Sequence, residues 1–130
     1  MKSVKKIKSV ASAFYDNAFI RKIETKIDSW ERDYQETKQA MHDHNLKQAK
    51  RISAILKLRN YPDGRLVDDL LSLVSDDKED VEVRCNAANV LGWFKAWYAK
   101  ASIVNRLRTL KVDEPALKDE ISRALCRLTR

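Results

Sequence analysis

Glycine, proline and cysteine each occur only twice in this chain, and each scarcity excludes something. With Gly64, Gly92, Pro62 and Pro115 as the whole stock of turn formers, a sheet protein of 130 residues could not reverse its strands. The composition therefore predicts helices. The same shortage removes the phosphate-binding loop and the dinucleotide fingerprint, and neither a nucleophile elbow nor a zinc-hydrolase motif occurs. The chain reads as a non-enzymatic protein without a cofactor. Cys85 and Cys126 are too few for a disulfide framework, and His42 and His44 lie too far from them in sequence for a zinc-finger spacing. Both thiols are expected to be buried as small hydrophobes. No run of about 18 apolar residues is present, and the lysines of Met1 to Val10 precede no signal-peptide core. These absences predict a cytoplasmic protein that does not enter a membrane.

Charge is plentiful: Asp, Glu, Lys and Arg make up 35% of the chain, with a formal net charge of +7. Residues 1 to 60 carry 14 basic against 7 acidic side chains, residues 61 to 95 carry 4 against 8, and residues 96 to 130 carry 8 against 4. Two basic ends thus flank an acidic middle. Such a balance attracts acidic protein, nucleic acid or anionic lipid without choosing among them.

Along the chain, apolar residues recur at helical spacing. Val4, Ile7, Val10 and Phe14 outline a short basic helix, and Phe19, Ile23, Ile27, Trp30 and Tyr34 define one face of a long amphipathic helix. The segment His42-Asp43-His44-Asn45 breaks the period, with Asp43 or Asn45 available to cap the helix that runs from 46 to 59. Ala49, Ile52 and Leu56 are the expected core line of that helix. Tyr61-Pro62-Asp63-Gly64 is a turn, in which Gly64 tolerates a positive φ. Two helical pairs follow: Leu66 to Val74 with Val83 to Phe94, then Ile103 to Leu110 with Leu117 to Leu128.

A shift of 34 positions lays Val83, Arg84, Ala87 and Leu91 on Leu117, Lys118, Ile121 and Leu125, and Leu70 and Leu73 on Val104 and Leu107. A period in the thirties with two helices per unit is the signature of a helical solenoid. The expectation is one all-α domain over residues 1–130, a right-handed α-α superhelix of about three helical hairpins. Residues 1–45 are expected to form N-terminal helices, either a cap or a further repeat, and residues 46–130 the repeats.

The pattern Leu70-Leu71-x-Leu73-Val74-x-Asp76-Asp77, followed by Val83-Arg84-x-x-Ala87-Ala88-x-x-Leu91-Gly92, resembles the HEAT repeat of short bacterial and archaeal proteins, including the form related to phycocyanobilin lyase subunits. The resemblance implies a structural ladder in which Asp76 or Asp77 pairs with Arg84. The last unit departs from the pattern, with Lys118, Ser122 and Cys126 in place of Arg84, Ala88 and Gly92, as a capping repeat would.

In HEAT-like stacks the second helix of each pair lines the concave binding surface. On the helical wheel Asn86, Asn89 and Trp93 point away from the core line, and the 34-residue shift adds Glu120, Arg123 and Arg127 to the same row. A looser alignment adds Arg51. Tryptophan and arginine dominate many interfaces, so this row is the candidate partner-binding site; the alternative is that Trp93 packs on the next helix. His42 and His44 with Asp43 read as a solvated turn rather than a metal site, and Asp68-Asp69 and Asp76-Asp77 read as structural. The expected function is protein binding, with a bacterial immunity or adaptor protein that caps a toxin, effector or complex subunit as its sharpest form. Nucleic-acid binding, as in HEAT-like DNA glycosylases, is the alternative, and a lyase accessory role rests on family resemblance alone.

Overall fold

A computed structural model describes residues 17–95 and 98–130 of the chain. The expected helix from Val4 to Phe14, the N-terminal lysines Lys2, Lys5, Lys6 and Lys8, and Trp97 lie outside the described residues. Within them every regular element is helical: α1 (Asn17–His42), α2 (Gln48–Leu56), α3 (Val67–Ser75), α4 (Val81–Leu91), α5 (Lys100–Thr109) and α6 (Pro115–Thr129), with single 3-10 turns at Lys57–Arg59 and Gly64–Leu66. The chain divides into two compact units, Met1–Glu36 and Thr37–Arg130. The division falls inside α1.

In the first unit the amphipathic stripe lies largely in the open: Phe19, Ile23 and Trp30 are exposed, and Ile20 beside them is buried. Lys26 holds its ammonium over the Trp30 ring at 5.6 Å.

The second unit is built around α4. This helix packs on α2, α3 and α6, while α5 packs on α3 and α6. The adjacency puts α2, α4 and α6 side by side in one row and α3 beside α5 in another. The core follows from periodicity: Val83, Ala87, Val90 and Phe94 are buried, and so are Leu117, Ile121, Ala124 and Leu128, each 34 positions later. A second interval links the earlier pair. Met41 and Val74 are fully buried and stand 33 positions apart, as do Arg51 and Arg84.

Those arginines explain the interval. Arg51 donates to the Met41 carbonyl from Nε at 3.2 Å and from Nη2 at 2.7 Å, and Arg84 donates from Nε to the Val74 carbonyl at 3.0 Å. Each carbonyl belongs to the penultimate residue of the preceding helix, α1 or α3. A helix end leaves its last four carbonyls without intrahelical donors and carries partial negative charge. A buried guanidinium reaching back from the next helix satisfies both needs and ties that helix to the last turn of the one before.

Arg51 thereby corrects the expected core line of α2. The buried residues are Arg51 and Ile55 in the helix and Leu58 just after it, whereas Ala49 is exposed and Ile52 and Leu56 are half-buried. Nor is Arg51 part of the outward row, being 2% exposed. The structure accommodates the charge with a bidentate carboxylate partner, Glu79, which turns a position that sequence assigns to solvent into an interior one.

Local chemistry also differs at the connections. Helix α2 begins at Gln48 with Lys47 at its N-cap, and Asp43 instead accepts a hydrogen bond from the Asn45 amide within the loop. Asp63 accepts from the Arg65 amide and so opens the 3-10 turn, and Gly64 keeps a negative φ. Helix α4 stops at Leu91, but i to i+3 bonds from the amides of Trp93 and Phe94 to Val90 and Leu91 continue the coil for one tight turn. Gly92 serves packing rather than backbone freedom. A Cβ there would lie 2.9 Å from the Ala124 Cα, so its absence lets α4 and α6 approach closely. Helix α6 opens on Pro115, which has no amide hydrogen to leave unpaired.

Candidate functional site

Two rungs of polar and aromatic side chains cross the row formed by α2, α4 and α6. The first starts at Arg59, which the 3-10 turn after α2 carries toward α4. Its Nε donates to Asn89 Oδ1 at 2.8 Å, Asn89 Nδ2 donates to Glu120 Oε2 at 3.3 Å, and Arg123 Nη1 donates to Glu120 Oε1 at 3.3 Å. Asn89 is buried at the centre of this chain. Its amide can serve both neighbours because it offers an acceptor on one side and a donor on the other.

The second rung lies one helical turn further along. Trp93 is 43% exposed, and the Arg127 guanidinium stands 5.2 Å from its ring centroid. A cation over an indole face is attracted by the ring quadrupole, by about 0.5 to 1 kcal/mol at an exposed site. Arg127 Nη1 is sealed from solvent without a hydrogen-bond partner. Trp93 thus combines both of its sequence readings: it contacts the next helix in the row through Arg127 and still presents much of its ring to solvent.

Of the six residues expected in the row, the structure joins Asn89, Glu120 and Arg123 in one hydrogen-bonded chain and Trp93 with Arg127 in another contact. Asn86 stands apart, its Nδ2 bonded to the Glu82 carbonyl of its own helix at 2.7 Å. Glu82 in turn accepts from Gln48 Nε2 at 3.4 Å, a contact between α2 and α4 at the other end of the row. Arg59 escaped the sequence reading because it lies past the end of a regular helix, where wheel positions no longer report direction.

The structural ladder takes a different form from the expected one. Asp76 and Asp77 are exposed, and Asp76 accepts from the Lys78 amide at 2.9 Å. Arg84 takes the Val74 carbonyl, and the buried carboxylate of the turn is Glu79, missed by sequence. Glu79 receives Arg51 Nη1 and Nη2 at 2.8 Å each, accepts from the Asp80 amide at 3.1 Å, and meets His44 Nε2 at 3.2 Å. This single pairing joins the arginine of one helical pair to the acid before the next helix, while Arg84 is bonded to a backbone carbonyl. Hydrogen bonds from Arg51, above all, hold the Glu79 carboxyl down at about 2, against a burial that would raise it. The same pairing raises the Arg51 pKa. The spacing of Arg51 and Arg84 was the one signal available for this interior role.

His42, the last residue of α1, meets Asp69 Oδ1 at 2.9 Å, so it and His44 both face carboxylates further along the chain. Among the described residues no group of three or more His, Cys, Asp or Glu side chains could hold a metal ion. Asp68 accepts from Arg106 at 2.7 Å across α3 and α5, at the surface. Cys85 is half-buried and Cys126 exposed, so the expectation of two buried thiols fails for Cys126, which faces outward where Gly92 faces inward in the preceding unit. Among the described residues no helix is long and apolar enough to cross a membrane. Comparison with protein-family models, with curated proteins and with solved structures gives no match.

Proposed function

We propose that this chain is a HEAT-like helical-repeat module, without catalytic activity, that binds another protein through the row Asn89, Trp93, Glu120, Arg123 and Arg127. The repeat reading draws support from the 33- and 34-residue intervals in the buried positions and from the side-by-side contacts of α2, α4 and α6. The observation that carries the binding reading is Trp93, an exposed indole held by a stacked arginine beside a hydrogen-bonded polar chain. A large aromatic surface kept in one orientation loses little conformational entropy on association, which is what an interface anchor needs. Within this reading the chain is a bacterial immunity or adaptor protein that caps a toxin, effector or complex subunit.

The test is affinity capture from the native cell, with the wild-type chain and Trp93→Ala in parallel. A stoichiometric protein partner retained by the former and lost by the latter is expected. Melting curves of both chains check that Trp93→Ala is folded at the capture temperature, because losing the stacked contact and the covered part of the ring lowers the melting temperature by several degrees or more. Recovery of no protein partner, or equal capture by the variant, would overturn the reading.

A further inference from the structure

We infer that the Trp93 surface takes an acidic segment of its partner, in which a carboxylate lies next to an apolar side chain; this rests on the protein-binding reading above. The charge balance of the two rungs carries the argument. Three guanidinium groups lie along the two rungs: Arg59 and Arg123 in the hydrogen-bonded chain that includes Glu120, and Arg127 on the Trp93 ring. Glu120 is already engaged by Asn89 and Arg123. Counting the side chains of the two rungs alone, it balances one positive charge and leaves two.

The arginines differ in what they have left to give. Arg59 spends Nε on Asn89, and Arg123 spends Nη1 on Glu120. Both side chains are otherwise exposed. The Arg127 guanidinium contacts an aromatic face and has a sealed nitrogen without an acceptor. Stacking satisfies its charge in part but none of its hydrogen bonds. A carboxylate approaching beside the ring would meet the guanidinium edge away from the sealed Nη1, already oriented by Trp93 and able to give charge-assisted hydrogen bonds. The exposed part of the indole lies next to it and offers an apolar platform, so an acidic residue followed or preceded by a leucine or phenylalanine fits both halves. The acidic end of the row, where Glu82 faces Gln48, sets a boundary that repels such a segment.

Immobilised wild-type protein would be challenged with two synthetic peptide pools of equal length, one built from Asp, Glu, Leu and Phe and the other from Lys, Arg, Leu and Phe, and with labelled oligothymidylate. The acidic pool should be retained and the basic pool not. Arg127→Glu should weaken retention of the acidic pool about tenfold or more, the scale of losing one charged contact and gaining a repulsion. Arg108→Glu, an equal charge change on α5 outside the row, should leave retention unchanged. Circular dichroism melts of both variants confirm that each is folded. Retention of neither pool, retention of the basic pool, or equal loss with Arg108→Glu would overturn the inference. So would oligothymidylate bound more tightly than the acidic pool and lost with Arg127→Glu, which would assign the surface to phosphate. Failure here combined with Trp93-dependent capture of a protein would leave the binding reading standing and remove only its acidic chemistry.

Discussion

Glu79 and Arg51 face each other through two parallel hydrogen bonds of 2.8 Å, with the arginine 2% exposed and the glutamate 6%. The same guanidinium closes the end of α1 at the Met41 carbonyl. One side chain therefore joins the loop before α4 to the helical pair before it.

Replacing one partner of such a pair strands the other. Glu79→Gln keeps the size and removes the charge, so Arg51 remains buried without its counter-ion. The expected loss is about 3 to 5 kcal/mol in chemical denaturation. Replacing both residues by apolar ones of matching volume should cost far less than that, and a double-mutant cycle measures the difference.

The pair also sets an acid dependence. Glu79 titrates at about 2 in the folded chain against an ordinary 4.5, so the folded state binds its proton less readily than the unfolded state. Its contribution is complete above the unfolded value and is lost as pH falls from about 5 through 2. Melting temperatures across that range should fall steeply in the wild type, and the fall should be shallower in Glu79→Gln.

Gly92→Ala tests the contact between α4 and α6. Alanine favours helix, yet its Cβ would stand 2.9 Å from the Ala124 Cα and 3.2 Å from its Cβ. Overpacking of this kind costs about 1 to 3 kcal/mol. Adding Ala124→Gly should give little rescue, because the closer contact is with backbone. A fully restored melting temperature in the double variant would show that the added methyl meets the Ala124 Cβ and not its backbone.

The two thiols should react at different rates. Burial, then the Glu120 charge, pushes the Cys85 pKa up, and the residue is half-covered. Cys126 is exposed on α6. Alkylation followed by mass spectrometry should modify Cys126 first, and Cys126→Ser should remove the fast phase.

How far the sequence reaches is shown by α2 and α4. Helix α4 was legible because its interior is apolar and small: Val83, Ala87 and Val90 repeat on one face and leave Asn89 and Trp93 off it. Helix α2 misled by its core line, since its interior includes an arginine, and hydrophobic periodicity has no term for a charge whose partner sits 28 positions away. The 34-residue register placed Asn89 near Glu120 and Trp93 near Arg127, because side-chain direction in a helix follows from position, but it told nothing of the burial of Asn89 or of the separation of Asn86. Arg59 and Glu79 were not legible, because both stand outside the α-helices, where direction depends on the turn.

The 33-position spacing of Met41 with Val74 and of Arg51 with Arg84 also constrains how this chain can change in length. Lengthening a connection moves a guanidinium away from the carbonyl it must reach, but inserting one whole interval would carry arginine and carbonyl along together. Each arginine stands ten positions after its carbonyl, so the connections 43–47 and 76–80 are held to length, whereas copying a complete helical pair would keep both spacings.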